Sequence, residues 1–99
     1  MGQHRKDKNE DEIVEQLVNK YHLGVWRSSH VGGGFVDIVV FYNNRNWFIE
    51  IKFDKTSKLT PAQKKFHEYV KKHGGQVDVC LTVEQVLRLI GYDALIKTP

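Results

Sequence analysis

Apolar residues recur along the chain at spacings that change from helical to strand-like and back. One stripe at helical spacing predicts an amphipathic first helix, and it consists of Ile13, Val14, Leu17, Val18 and Tyr21. Asn9 precedes the stripe and Glu12 follows three residues later, which is the pattern of a capped helix start. Met1 to Lys8 are polar and show no periodicity. We therefore predict a flexible tail over 1–8 and a helix that begins after it.

Strand-like runs, two further helices and a fourth strand follow the first helix. The strand-like runs lie at 25–29, 37–42 and 47–53, the second helix at 60–73, the fourth strand at 76–81 and the last helix at 82–91. The order of helix, three strands, helix, strand and helix predicts an α/β (α+β) fold with a mixed sheet flanked by helices. A single domain over 9–91 and a C-terminal tail over 92–99 are expected.

The polar turn Asn43-Asn44-Arg45-Asn46 joins two of these strands in a hairpin. Side chains alternate along a strand, so Glu50 and Lys52 lie on one face. A loop of two or four residues centred on Asn44-Arg45 pairs Asp37 with Lys52. Asp37 then lies on the same face, diagonal to Glu50 at roughly 7–8 Å between backbone positions. A slip of one residue would move Asp37 to the other face.

The composition limits the class of protein and the cofactors to be expected. The chain is 40% hydrophobic and 27% charged, as is usual for globular proteins, and no apolar run approaches the ~20 residues of a membrane span. Cys80 is the single cysteine and cannot form an internal disulfide, so we expect an intracellular, cytoplasmic protein. The glycines of the loop 31–34 do not match a dinucleotide or P-loop spacing. No nucleotide cofactor is expected.

The net charge is +3, and it is unevenly distributed. From 52 to 73, seven lysines against two carboxylates leave +5. Such a patch suits a polyanion, although a solvated lysine-rich helix face explains the same pattern. Basic side chains and a glycine loop that allows close backbone approach are the expected nucleic-acid contacts: Arg27, Gly33, Gly34, Lys55, Lys58, Lys64 and Lys65.

Asp37, Glu50 and Lys52 could carry out phosphodiester hydrolysis. Two carboxylates can hold a hard divalent ion such as Mg²⁺, and the backbone carbonyl of Ile51 can add a third oxygen. Lys52 beside the ion can orient or help to deprotonate the attacking water. A cross-strand ion pair on an exposed face is the simpler explanation of these residues alone. Apolar neighbours on the same face favour a functional role, because buried charges are more often functional.

The first helix carries several acids, and a helical wheel ranks them. At about 100° per residue, the centre of the apolar stripe projects back close to Glu10. Glu12 points nearly the opposite way, and Glu15 lies well off the stripe. Glu10 is therefore the acid expected to face inward. An acid in the first turn that complements the helix dipole explains its position equally well.

Three short motifs together resemble the VRR-NUC domain, the virus-type replication-repair nuclease module of the PD-(D/E)XK superfamily. They are Gly34-Phe35-Val36-Asp37, then Glu50-Ile51-Lys52, then Leu59-Thr60-Pro61-Ala62-Gln63. The helix that ends in Gly74-Gly75 before a strand adds to the resemblance, which covers roughly residues 10–91. Val36 departs from the pattern, because the family usually has proline before the aspartate.

The resemblance implies a role for each matching residue. Asp37 and Glu50 would be metal ligands and Lys52 the catalytic lysine. Gln63 would lie near the active site, although a capping-box role explains it as well. The glutamate of the first helix falls on Glu10, with Glu12 and Glu15 as alternatives.

The activity that the resemblance implies is a Mg²⁺- or Mn²⁺-dependent DNA endonuclease, selective for branched or junction DNA in replication, repair or recombination and acting as a homodimer. Three alternatives stay open at this point. One is a non-catalytic module on the same scaffold that binds nucleic acid or a partner. The second is a nuclease acting on RNA or single strands, and the third is a structural protein whose charges are surface pairs.

Overall fold

The computed structural model describes the backbone of residues 2–92 and the side chains of residues 8–92. The elements are α1 Gly2–Asn19, β1 Gly24–Arg27, a 3-10 turn Ser29–Val31, β2 Ile38–Tyr42, β3 Arg45–Ile51, α2 Pro61–Lys72, β4 Asp78–Cys80 and α3 Val83–Ile90. The predicted element order and the α+β class are confirmed. Of the predicted tail over 92–99, all but Tyr92 lies outside the described residues.

One mixed sheet organises the molecule, with the strands in the order β1-β2-β3-β4. The first three strands are antiparallel, and β4 runs parallel to β3. Helix α2 makes the crossover that a parallel pair requires. Within residues 2–92, no helix is long and apolar enough to cross a membrane.

The two faces of the sheet bury separate apolar clusters. On one face, α1 and α3 cover the sheet through Ile13, Leu17, Val83, Val86 and Ile90, which pack on Ile38, Val40, Trp47, Ile49 and Ile51. On the other face, Val36, Val39 and Val77 pack with Phe35, Phe48, Phe66 and Val70, the last two of which come from α2. The predicted alternation along β3 is thereby confirmed, because its odd residues face α1 and Phe48 faces α2.

Helix α1 begins earlier than predicted. It extends back to Gly2, so residues 2–8 continue the helix instead of forming a separate tail. Asn9 lies within the helix and does not cap it. Its side-chain amide donates to the Lys52 carbonyl at 2.9 Å and to the Leu81 carbonyl at 3.2 Å. Asn9 therefore ties α1 to the ends of β3 and β4, a role that depends on residues distant in sequence.

The hairpin register differs from the prediction by two residues. Asn43 and Asn44 both have positive φ, 54° and 63°, and they form the two-residue turn that the twist of a hairpin favours. Tyr42 therefore pairs with Arg45, and Val39 pairs with Phe48 instead of Glu50. Because the side-chain period of a strand is two, a shift of two residues leaves every side chain on its predicted face.

Candidate active site

Asp37 lies where β2 approaches the end of β3. One step beyond the Ile38–Ile49 pair, the register puts Asp37 opposite Glu50 and not diagonal to it as predicted. The Asp37 N–H donates to the Ile49 carbonyl at 3.2 Å, and its Oδ2 accepts the Ile51 N–H at 2.8 Å. The side chains of Asp37 and Glu50 are both buried. The Asp37 carboxylate thus contacts the backbone segment that carries both Glu50 and Lys52.

Gln63 connects the other two predicted residues. Its Nε2 donates to Glu50 Oε2 at 2.8 Å, and its Oε1 accepts from Lys52 Nζ at 3.1 Å. The same Oε1 accepts the Thr60 N–H at 2.9 Å, which completes the capping box of α2. The two explanations of Gln63, as a cap and as a site residue, therefore hold together. Lys52 is itself buried, only 6% exposed.

Glu10 is the acid of α1 that lies near Asp37. It is buried, whereas the alternatives Glu12 and Glu15 are exposed. Burial raises the pKa of Glu10 most strongly, and the negative charge of Asp37 raises it further, against the opposing effect of Arg27. The structure therefore brings Glu10, and neither alternative, to the candidate site.

Arg27, which stays a predicted nucleic-acid contact, is hydrogen bonded to two acids of α1. Its guanidinium donates to Glu10 Oε2 from Nε at 3.0 Å and from Nη2 at 2.7 Å, and Nη2 also donates to Asp11 at 2.6 Å. Val25, two residues earlier on β1, packs on the α1 side of the sheet, and Arg27 shares that face because strand residues two apart do so. Its charge is therefore already paired with two carboxylates.

Gly33 and Gly34, the two predicted contacts in the glycine loop, have different surroundings. A Cβ on Gly34 would lie 2.3 Å from the Ala62 carbonyl oxygen, whereas a Cβ on Gly33 would meet nothing within 4 Å. The close approach that Gly34 permits in this structure is to the first turn of α2, and its contact with nucleic acid stays a prediction. Gly33 is exposed and stays a predicted contact.

The predicted basic contacts lie in the loop before α2 and on its outer face. Lys55, Lys58, Lys64 and Lys65 are all exposed. Asp54 orders the loop, because its Oδ1 accepts the N–H groups of Thr56 and Ser57, each at 2.9 Å. The Thr56 hydroxyl, which donates to the same Oδ1 at 2.7 Å, lowers the pKa of Asp54 most strongly, and the Ser57 hydroxyl and the two N–H groups lower it further. The lysines therefore stay predicted contacts with nucleic acid, on a surface close to Gln63.

Sequence reasoning missed His67. It lies four residues after Gln63 on α2, and it is buried, with 7% exposure. Its Nε2 lies 3.8 Å from Glu50 Oε1. Burial, followed by the charges of Lys71 and Lys52, lowers the pKa of His67. The i, i+4 spacing from Gln63 was the available signal.

The donor set fits a hard divalent cation. Within residues 8–92, no three His, Cys, Asp or Glu side chains are grouped as a metal cluster. Magnesium needs only one or two carboxylates, because it keeps several of its waters. Asp37 and Glu50 are two buried carboxylates, and the charge of Asp37 raises the pKa of Glu10. A cation beside these acids would offset that repulsion. Ile51 brings its N–H to Asp37, and its carbonyl stays a predicted ligand.

Comparisons with known proteins agree with this architecture. A family model described as the VRR-NUC domain matches residues 1–84. A solved structure titled "VRR_NUC domain" is similar, with a TM-score of 0.67 and 27% sequence identity, over 89% of this chain and 96% of that one. None of the curated proteins compared matches the chain.

The fold and these matches define a nuclease-type α+β domain. The chain belongs to the VRR-NUC domain family, whose model spans most of its length. The resemblance drawn from the three motifs is thereby confirmed.

Proposed function

We propose that the chain is a metal-dependent endonuclease that hydrolyses phosphodiester bonds in DNA. One observation supports this above the others: Gln63 joins Glu50 and Lys52 through hydrogen bonds of 2.8 and 3.1 Å. All three side chains are buried. Removing each charge from water costs on the order of several kcal/mol. A solvated surface ion pair would not require that cost, so the arrangement favours a chemical role.

Asp37 and Glu50 would hold Mg²⁺ or Mn²⁺, with the Ile51 carbonyl as a third oxygen. When bound, such an ion neutralises phosphate charge and lowers the pKa of a coordinated water. Lys52 orients the attacking water and supplies positive charge beside the pentavalent transition state. Gln63 keeps the Lys52 ammonium in place through its Oε1. Glu10 adds negative potential next to Asp37, which favours cation binding.

The substrate we propose is branched or junction DNA, cut during replication, repair or recombination of the viral type. Exposed lysines before and along α2 supply phosphate contacts, which carry affinity without reading sequence. Contacts of this kind position the protein on the nucleic-acid backbone and do not read base edges, which supports recognition of backbone and shape. A homodimer would present two such sites to the two arms of a junction.

The test is cleavage of labelled duplex, single-stranded and four-way-junction DNA in the presence of Mg²⁺ or Mn²⁺. Wild type is compared with Lys52→Met, which removes the ammonium and keeps most of the buried stem. We expect wild type to cut the junction fastest, to require the metal, and to lose at least about 100-fold in rate with Lys52→Met. DNA binding measured by fluorescence anisotropy should be almost unchanged in the variant.

Other outcomes would overturn the proposal in distinct ways. Salt-sensitive binding of DNA without cleavage of any substrate would favour a non-catalytic binding module. Cleavage that survives Lys52→Met would mean that the active site lies elsewhere. Faster cutting of RNA or single strands than of junction DNA would show that branched DNA is not the preferred substrate. Sedimentation as a monomer at assay concentration would refute the homodimer.

A further inference from the structure

His67 presents a buried polar atom whose purpose the fold alone does not explain. Within the part of the chain that the structure describes, its Nε2 has no hydrogen-bond partner, although the side chain is only 7% exposed. Buried polar atoms are nearly always hydrogen bonded, and an exception in a native protein calls for an explanation. Glu50 Oε1 lies 3.8 Å from this nitrogen.

The two oxygens of the Glu50 carboxylate face two residues of the same helix. Gln63 donates to Oε2 at 2.8 Å, and His67 directs Nε2 toward Oε1. Residues four apart on a helix lie on one face, one turn from each other. α2 therefore presents one donor group to each oxygen of a single carboxylate.

The 3.8 Å separation is about 1 Å longer than a hydrogen bond. Hydrogen bonds in an active site are often long in the free protein and shorten when the site is loaded. A small rotation of either side chain would bring Nε2 within hydrogen-bond distance of Oε1. A neutral imidazole carries a proton on only one of its two nitrogens. Donation to Oε1 requires that proton to be on Nε2.

We propose that His67 is a positioning residue that fixes the Glu50 carboxylate for metal binding, by donating from Nε2 to Oε1 while Gln63 holds Oε2. The inference rests on the proposed function, because Glu50 is a ligand only there. Residues that do not touch the metal but hydrogen bond to a metal-binding side chain typically contribute about 10–100-fold to metal affinity. His67 therefore contributes to the affinity of the site for the divalent ion, and not to the chemical step directly.

Mn²⁺ binding to the free protein tests this inference without DNA or catalysis. Titration calorimetry or Mn²⁺ electron paramagnetic resonance would compare wild type with His67→Leu, which keeps the volume and removes the donor, and with His67→Gln, which restores an N–H near the Nε2 position. His73→Leu is the matched control, because His73 is exposed at the end of the same helix.

We expect His67→Leu to weaken Mn²⁺ binding about 10-fold or more. The urea midpoint of this variant should be unchanged or higher, because the substitution removes an unsatisfied buried polar atom. His67→Gln should recover most of the affinity, and His73→Leu should match wild type. A residue that acts only in packing would instead change stability and leave metal affinity unaltered. Equal affinity in wild type and His67→Leu would overturn the inference.

A second readout concerns the tautomer. Long-range ¹H–¹⁵N correlation spectra distinguish the two nitrogens of a neutral imidazole, and the proposal requires the proton on Nε2. A proton on Nδ1 would place a lone pair toward Glu50 and would refute the role. Wild type that binds no Mn²⁺ would refute the proposed function itself, whereas binding that is insensitive to His67 would refute the positioning role alone.

Discussion

Lys52 and Gln63 are joined by a hydrogen bond of 3.1 Å from the lysine ammonium to the side-chain carbonyl. The same carbonyl oxygen accepts the Thr60 N–H at the first turn of α2. The residue that completes the start of the helix therefore also holds the lysine of the candidate site. Because β3 carries the lysine and α2 the glutamine, the packing of α2 on the sheet sets the geometry of the site.

Replacing Gln63 with alanine should therefore affect both stability and metal binding. The change leaves buried groups of Glu50 and Lys52 without their Gln63 partner, which costs about 1–3 kcal/mol in the free energy of unfolding. Mn²⁺ affinity should fall about 10-fold because Glu50 loses its orientation. Urea unfolding and Mn²⁺ titration measure the two effects.

Gln85→Ala is the control for Gln63→Ala. Gln85 occupies the equivalent position at the start of α3, where it is exposed and accepts the Leu81 N–H. Its loss should lower stability slightly and leave Mn²⁺ affinity unchanged. Equal Mn²⁺ affinities in Gln63→Ala and wild type would show that Gln63 only caps the helix.

Gly34→Ala should destabilise the fold much more than Gly33→Ala. Both glycines have positive φ, 85° and 65°, so each substitution carries about 1–2 kcal/mol of backbone strain. The Gly34 Cβ would in addition lie 2.3 Å from the Ala62 carbonyl oxygen, which forces the loop away from α2. We expect a total loss above about 3 kcal/mol for Gly34→Ala. Similar urea midpoints for the two variants would contradict the close contact with α2.

The pH dependence of stability should report the environment of Glu10. Burial and the charge of Asp37 raise the Glu10 pKa above its ordinary value of 4.5, so the folded chain binds that proton more tightly than the unfolded chain. The contribution of Glu10 to stability is therefore present below pH 4.5 and is lost as pH rises through the raised pKa.

Glu10→Gln should consequently gain stability relative to wild type as pH rises from 4.5. Denaturant unfolding at a series of pH values measures this difference. Glu12→Gln, on the exposed side of the same helix, should parallel wild type throughout. Parallel curves for Glu10→Gln and wild type would mean that the Glu10 pKa is not raised in the folded chain.

The salt dependence of DNA binding should identify the phosphate contacts. If Lys64 and Lys65 each neutralise one phosphate, the double change to glutamine lowers the slope of log K against log salt by about 1.8 for duplex DNA. The control is Lys20→Gln, because Lys20 lies just after α1, on the opposite side of the sheet, with its ammonium over the Tyr21 ring. Equal slopes for the double variant and wild type would place the DNA on another surface.

Local patterns in the sequence determined the elements and the face on which the charged residues lie. The alternation of β3 put Glu50 and Lys52 on one face because strand side chains repeat every two residues, and this held although the hairpin register differed by two. Thr60 to Gln63 determined the start of α2 because a capping box forms within one turn. The helical wheel likewise identified Glu10 from the spacing of apolar residues alone.

Only the tertiary structure decided what these residues contact. The pairing of Arg27 with Glu10 joins β1 to α1, the packing of Gly34 on Ala62 joins a loop to α2, and the approach of His67 to Glu50 joins α2 to β3. Each depends on how two elements distant in sequence are placed against each other. Local propensity does not encode that placement, because it follows from burying both faces of the sheet at once.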